Sequence, residues 1–230
     1  MAVFNGARST TDGLLVCLDA FNPKSYTAGT STWRNLVKGS GAFGDFVANG
    51  SNYNTNSEGL QITNTNTDFR SELGYNFVSD PGIAMEVVYK VAVADNHDVY
   101  GRIIDWRDTT VSLGTYASEQ FRCWVNAGGG RNTGEFAINS NEPGFYDSWN
   151  HAVLTYDKSN VKGYWNAVER FTVAKTGNLE NGNSILTIGN GDGNYFGGRI
   201  SFVRIYNRGL TADQVKINYD HLNLRYNFGN

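Results

Sequence analysis

Apolar positions fall in short runs separated by polar turns, and most runs alternate with the period of two that belongs to β-strands. Residues 83–93 show it best: Met85, Val87, Tyr89, Val91 and Val93 share one face, opposite Glu86 and Lys90. Residues 13–18 are apolar almost throughout and predict a buried strand that opens the fold. Further strands are expected at 42–48, 59–63, 101–106, 110–114, 121–125 and 135–139, with a loop over 49–56. Within 121–125, Phe121, Cys123 and Val125 take one face and Arg122 and Trp124 the other. The three glycines at 128–130 break the chain between strands. Residues 149–157 and 161–165 read as a hairpin across Asp157 to Asn160, and a turn at Asn166 and Ala167 leads to a strand at 169–173.

The stretch 185–222 carries the strongest local signals. A strand over 185–189 and another over 199–207 flank a glycine-rich turn. In the second, Ile200, Phe202 and Tyr206 fall on one face and Val203 and Ile205 on the other, so both faces are apolar and the strand lies between layers. A helix follows. Thr211 is placed to cap it, Gln214 completes the spacing of a capping box, and Leu210 and Val215 form a hydrophobic staple. Val215, Tyr219 and Leu222 then make one stripe at helical spacing. Many short strands and one late helix predict an all-β fold, a two-sheet antiparallel β-sandwich or jelly roll with one short C-terminal helix.

Composition narrows this further. The chain has 230 residues, only 3 prolines and no linker-like run, so residues 1–230 read as a single domain. A net charge of −3 gives no electrostatic reason to expect nucleic acid. No segment resembles a membrane span, and the first residues lack the basic-then-apolar layout of a secretory signal. Cys17 and Cys123 each sit in an expected strand. They would be a disulfide in an oxidising compartment or two small buried hydrophobes, and the want of an export signal favours the second.

Four segments resemble the concanavalin A-like lectin/glucanase sandwiches, specifically laminin-G-like domains: residues 13–26 with Trp33 after them, 149–157, 161–166 and 198–211. They span most of the chain in the expected order. The first is most similar to copies found in tailed-phage virion proteins. That resemblance implies a non-enzymatic virion component, of the capsid decoration, neck or tail, assembled in symmetric copies with other virion proteins such as the major capsid or a tail protein. A carbohydrate-binding adhesion module on a phage appendage or bacterial surface is the alternative. Two positions depart from the family: Asn166-Ala167 replaces the usual glycine turn, and Gly163 stands where a large apolar residue is common, beside Trp165 where a smaller one is usual. Either the two exchange size within the core, or Trp165 is displaced outward.

Candidate chemistry is sparse. Glucanases of this fold set carboxylates at alternate positions of one strand, and Glu86 stands alone in its own. A retaining hydrolase needs two carboxylates within about 5.5 Å, and no cluster advertises such a pair. His97, His151 and His221 are scattered, so no catalytic residue is assigned. Asn190, Asp192 and Asn194 place oxygens at alternate positions like the opening of a calcium loop, but Tyr195 occupies the sixth position where a glycine is needed. No cofactor is required, and calcium is the ion this loop would suit. Asp95, Asp98, Asp105 and Asp108 form a second acidic neighbourhood. For a host glycan, Trp124 beside Arg122 and Tyr116, or Tyr195 in the glycine loop, would supply aromatic faces and planar donors. The same residue types anchor protein interfaces.

Overall fold

The computed structural model describes residues 9–39, 43–51, 53–56, 59–62, 67–91, 101–106, 110–116, 120–137, 145–180, 184–191 and 193–228. Among them run β1 (Leu14–Asp19), β2 (Thr32–Trp33), β3 (Phe46–Asn49), β4 (Tyr53–Asn56), β5 (Gly59–Ile62) and β6 (Asp68–Ser71). Then come β7 (Ile83–Lys90), β8 (Arg102–Trp106), β9 (Val111–Tyr116), β10 (Gln120–Ala127), β11 (Gly130–Ala137) and β12 (Asn150–Tyr156). The last are β13 (Asn160–Trp165), β14 (Val168–Ala174), β15 (Leu186–Ile188), β16 (Asn190–Gly191), β17 (Asn194–Tyr195), β18 (Gly198–Tyr206) and α1 (Ala212–Tyr226).

The strands form two sheets. One has the order β14-β13-β12-β7-β18-β5-β4, with β1 also on β18; the other runs β11-β10-β9-β8-β15-β6-β3-β2, with β16 and β17 beside β8. Their inner faces enclose one large core, to which Met85, Val87 and Tyr89 contribute from β7, Ile104 and Trp106 from β8, and Phe121, Cys123 and Val125 from β10. This is the expected sandwich with its single C-terminal helix. Cys17 and Cys123 are both free thiols. No helix among the described residues is long and apolar enough to cross a membrane.

Three expectations need correction. Residues 53–56, read as loop, are β4, paired with β5. The short strands β2 and β6 were not expected, because two and four residues give alternation too little length to register. In β18, Ile200 sits in the main core with Val203 and Ile205, while Phe202 and Tyr206 pack outside it. A bulge between Ile200 and Phe202 breaks the pairing with β7, and one extra residue reverses the facing of everything on one side of it. The departure at Gly163 resolves as an exchange within the core: Trp165 is buried there, and the ring of Phe171 from β14 covers the missing side chain.

The helix follows its sequence signals and runs further. Thr211 Oγ1 accepts the Gln214 N–H at 3.3 Å, and Gln214 Oε1 accepts the Thr211 N–H at 3.1 Å. Leu210 and Val215 lie in one apolar cluster with Ala84, Val153, Tyr164 and Tyr206, so the staple also clamps the helix to the eight-stranded sheet. Leu222, Tyr226 and Phe228 close on Val88 and Phe202 further along. The helix thus occupies the outer face of that sheet.

At the centre of this covered face lies Glu86, with no solvent exposure. His151 Nε2 is 2.7 Å from its Oε1, Asn218 Nδ2 donates to Oε2 at 3.0 Å, and Tyr206 Oη donates to the same oxygen at 3.3 Å. Burial alone would push this carboxyl up. The Arg204 charge and the His151 and Tyr206 bonds outweigh it and hold Glu86 below the usual carboxylate range. Asn218 Oδ1 also accepts the Thr10 N–H at 2.8 Å, so one cluster ties β7, β12, β18, the helix and the start of the described chain together. The residue that stood alone in its strand is a structural hub.

Candidate functional site

With the helix on one sheet, the outer face of the other is where polar side chains gather. Register sets Arg70, Thr187, Asp105, Ser112 and Trp124 side by side across β6, β15, β8, β9 and β10. A neighbouring row holds Arg102, Gly114 and Arg122. The same alternation that buries Phe121, Cys123 and Val125 turns Arg122 and Trp124 onto this face, as the sequence predicts.

The centre of the face is a stacked pair. The Arg102 guanidinium carbon lies 3.6 Å from the Trp124 ring centroid, and its Nη1 donates to Ser112 Oγ at 3.3 Å. Arg122 approaches the same ring at 5.6 Å. Gly114 lies between the two arginines in register. A Cβ at this glycine would fall 2.4 Å from the Gly101 carbonyl oxygen, so the close strand approach depends on it. Trp124 is only 3% exposed. The expectation of an open tryptophan platform is therefore corrected. Arg102 is itself only 5% exposed, so the pair is a buried support, and of the expected residues the half-buried Arg122 and Tyr195 are the ones that reach the surface of this face.

The other expected residues divide. Tyr195, in β17, is half-buried and pairs in parallel register with Arg102, which brings the glycine loop to the edge of the same face. Arg122 is half-buried beside Trp124. Tyr116 ends β9 opposite Gln120, and its side chain lies outside the described residues. Asp192, Asp95, Asp98 and Asp108 also lie outside them, as does His97.

The loop expected to suit calcium is a tight hairpin of β16 on β17. Asn190 Nδ2 donates to Asp68 Oδ2 at 2.9 Å, and Asn194 Nδ2 donates to the Gly191 carbonyl at 3.3 Å. Asp68, fully buried, gives its oxygens also to Arg70, at 2.8 and 3.2 Å. That hydrogen bond raises the Arg70 pKa and keeps its guanidinium charged. Asp105 is buried against Gly191, where a Cβ would lie 2.7 Å from it. Calcium takes roughly six to eight oxygens. Asp68 is committed to Arg70 and Asn190, the Asn190 Oδ1 is buried without a hydrogen-bond partner, and among the described residues no three Asp, Glu, His or Cys side chains gather as a metal site. Asp192, the acidic member of the expected set, lies outside the described residues.

Sequence reasoning missed Arg102, Asp68 and Arg70. The signal for the last two was present, since Asp68 and Arg70 alternate around the buried Phe69, but a four-residue strand hid it. Arg102 could not be tied to Trp124 without the strand register that places β8 beside β9.

A family model described as the concanavalin A-like lectin/glucanases superfamily, of laminin-G type, matches residues 82–216. No curated protein matches the chain in sequence. Among solved structures, the botulinum neurotoxin serotype D binding domain is similar at a TM-score of 0.70 and 13% identity, covering 93% of this chain and 53% of that one. The binding domain of botulinum neurotoxin DC in complex with SialylT gives 0.68 and 12%, over 92% of this chain and 52% of that one. Trypanosoma rangeli sialidase in complex with sialic acid gives 0.63 and 15%, over 95% and 34%. The chain spans about half the length of the toxin domains and a third of the sialidase. At these identities the likeness is one of fold.

Proposed function

From the premise that this chain belongs to the concanavalin A-like lectin/glucanases superfamily, we propose that it is a non-catalytic recognition module that holds a glycan on the outer face of its ten-stranded sheet. The observation that carries this reading is the half-buried pair Arg122 and Tyr195 on this face, backed by the buried stack of Arg102 on Trp124. The Arg122 guanidinium, held beside the Trp124 ring, offers planar donors that suit the paired hydroxyls or carboxylate of a sugar. Two structural neighbours, one with SialylT and one with sialic acid, lend the reading support at the level of fold. Catalysis is disfavoured by the carboxylates on this face. Asp68 is spent on Arg70 and Asn190, and Asp105 is buried against Gly191.

The carrier we propose is a virion, on which symmetric copies bind other virion proteins. The wording of residues 13–26, similar to tailed-phage components, supports this. That segment is built as a rigid corner, with Ser25 Oγ accepting the Asp19 N–H at 3.1 Å and donating to the Arg34 carbonyl at 2.7 Å.

A glycan array followed by calorimetry tests the module. Saturable binding to a defined glycan, lost in Arg122→Ala with the melting temperature unchanged, is the expected result. Absence of any glycan hit, together with co-purification on assembled particles, would replace sugar by a virion protein as the occupant of this face.

A further inference from the structure

Four asparagines stand immediately before a glycine, at positions 5, 49, 181 and 190. An asparagine so placed can close onto its own backbone, because glycine carries no Cβ to shield the nitrogen that follows the asparagine. Positions 5 and 181 lie outside the described residues. The other two have opposite surroundings.

Asn190 is held fast. It is 8% exposed, its Nδ2 donates to Asp68 Oδ2 at 2.9 Å, and its backbone pairs in the hairpin of β16 on β17. A Cβ at Gly191 would lie 2.7 Å from Asp105, so the backbone there is tightly packed. Asn49 is the reverse. It is the last residue of β3 and the last to pair with β6, where it stands opposite Asp68. Asn49, Gly50 and Ser51 are all exposed, and Gly50 has a φ of 106°, which glycine adopts freely. The Asn49–Gly50 peptide therefore leads out of the β3–β6 ladder into solvent.

The place of Asn49 in the sheet gives its chemistry a consequence. Phe69 points into the core, so Asp68 before it lies on the outer face of the ten-stranded sheet. Residues directly opposite in an antiparallel pair share a face, which sets the Asn49 side chain beside that of Asp68. Asp68 is fully buried and bonded to Arg70 and Asn190.

We propose that Asn49 is a site of spontaneous modification that adds a negative charge at the edge of this face. The Gly50 backbone nitrogen attacks Asn49 Cγ and closes a succinimide ring. The Cγ–Nδ2 bond breaks, and Nδ2 leaves as ammonia with the proton given up by the Gly50 nitrogen. Water then opens the ring. Addition at Cγ breaks its new bond to the Gly50 nitrogen and gives aspartate in the ordinary backbone. Addition at the backbone carbonyl carbon of residue 49 breaks the main-chain bond instead and gives isoaspartate, with the chain routed through Cγ. Either product adds a carboxylate across from Asp68, and like charges directly opposite in a sheet are destabilising. The site stands whether or not the face holds a glycan.

The intact chain is incubated at mildly alkaline pH, folded or in urea, and followed by peptide mass spectrometry with fragmentation that separates aspartate from isoaspartate. In the folded chain Asn49 is expected to convert, with isoaspartate among the products, while Asn190 stays intact. In urea the two should convert at similar rates. Asn49→Gln, whose longer side chain would have to close a larger ring, should stay unmodified at this position with its denaturation midpoint unchanged. Asn49→Asp, a homogeneous form of one product, should unfold at a lower urea concentration than the parent chain. Folded Asn190 converting as fast as Asn49, or Asn49 converting in urea alone, would overturn the site. An unmoved midpoint in Asn49→Asp would overturn the charge conflict with Asp68.

Discussion

Glu86 and His151, on adjacent strands and both wholly without solvent exposure, meet at 2.7 Å beneath the C-terminal helix. The helix, through Asn218, and the Thr10 N–H are tied to this pair by the hydrogen bonds of Asn218 and Tyr206. The Glu86 carboxyl lies below its ordinary value of 4.5, so its contribution to stability is present above 4.5 and is lost as pH falls through the lower, folded value. Urea denaturation across pH 7 to 3 should show stability falling below pH 4.5. Glu86→Gln leaves Arg204 without its counter-ion and should cost about 3–5 kcal/mol at neutral pH, the range for breaking a buried pair. It should also flatten the acid limb. A variant that loses stability equally at every pH would exclude the titration.

This hub shows what was legible in the chain and what was not. The alternation of 83–93 put Glu86 opposite Met85 and Val87, and the capping box and stripe placed the helix. That the two meet depends on a pairing across more than a hundred residues, which local period cannot encode. The same holds for the candidate site. Arg122 and Trp124 were readable as one face of one strand, whereas Arg102 joins them through register alone. Ile200 was misplaced because a bulge leaves no mark in the hydrophobic pattern. The asparagines of the loop hairpin look free in sequence, whereas in space their amide nitrogens bond Asp68 and the Gly191 carbonyl.

Gly163 gives a test of the core. A Cβ there would lie 2.2 Å from the Phe171 ring, in a backbone region any residue can adopt. Gly163→Val should therefore destabilise by about 1–3 kcal/mol through overpacking. Adding Phe171→Ala removes the obstructing ring and should recover part of that loss, giving a coupling energy well away from zero in a double-mutant cycle. Additive effects would mean the ring does not fill the glycine's space.

The cap at Thr211 should behave as an independent element. Thr211→Ala removes the acceptor for the Gln214 N–H and should cost about 1 kcal/mol, visible as a shift in denaturation midpoint without a change in slope. Thr211→Ser should retain most of that stability. The side chain is exposed, so an equal loss in both variants would point away from capping.

Trp124 and Arg102 allow stability to be separated from recognition. Trp124 is buried, so Trp124→Ala should cost about 3–5 kcal/mol whatever the face binds, and lost binding in that variant would say nothing about contact. Arg102 is buried as well, so Arg102→Lys probes the support that the stack gives to Arg122 and Tyr195. Lysine keeps the charge but has no planar group to lie at 3.6 Å on the indole, and it replaces a fork of donors by a single point. Loss of the stacking should lower stability by about 1 kcal/mol. If the stack holds Arg122 and Tyr195 where a glycan meets them, affinity should fall about tenfold or more, well beyond what that small destabilisation explains. If charge alone attracts the ligand, Arg102→Lys will bind as well as the parent chain, and the outer face of the ten-stranded sheet will act as an electrostatic surface rather than a sugar site.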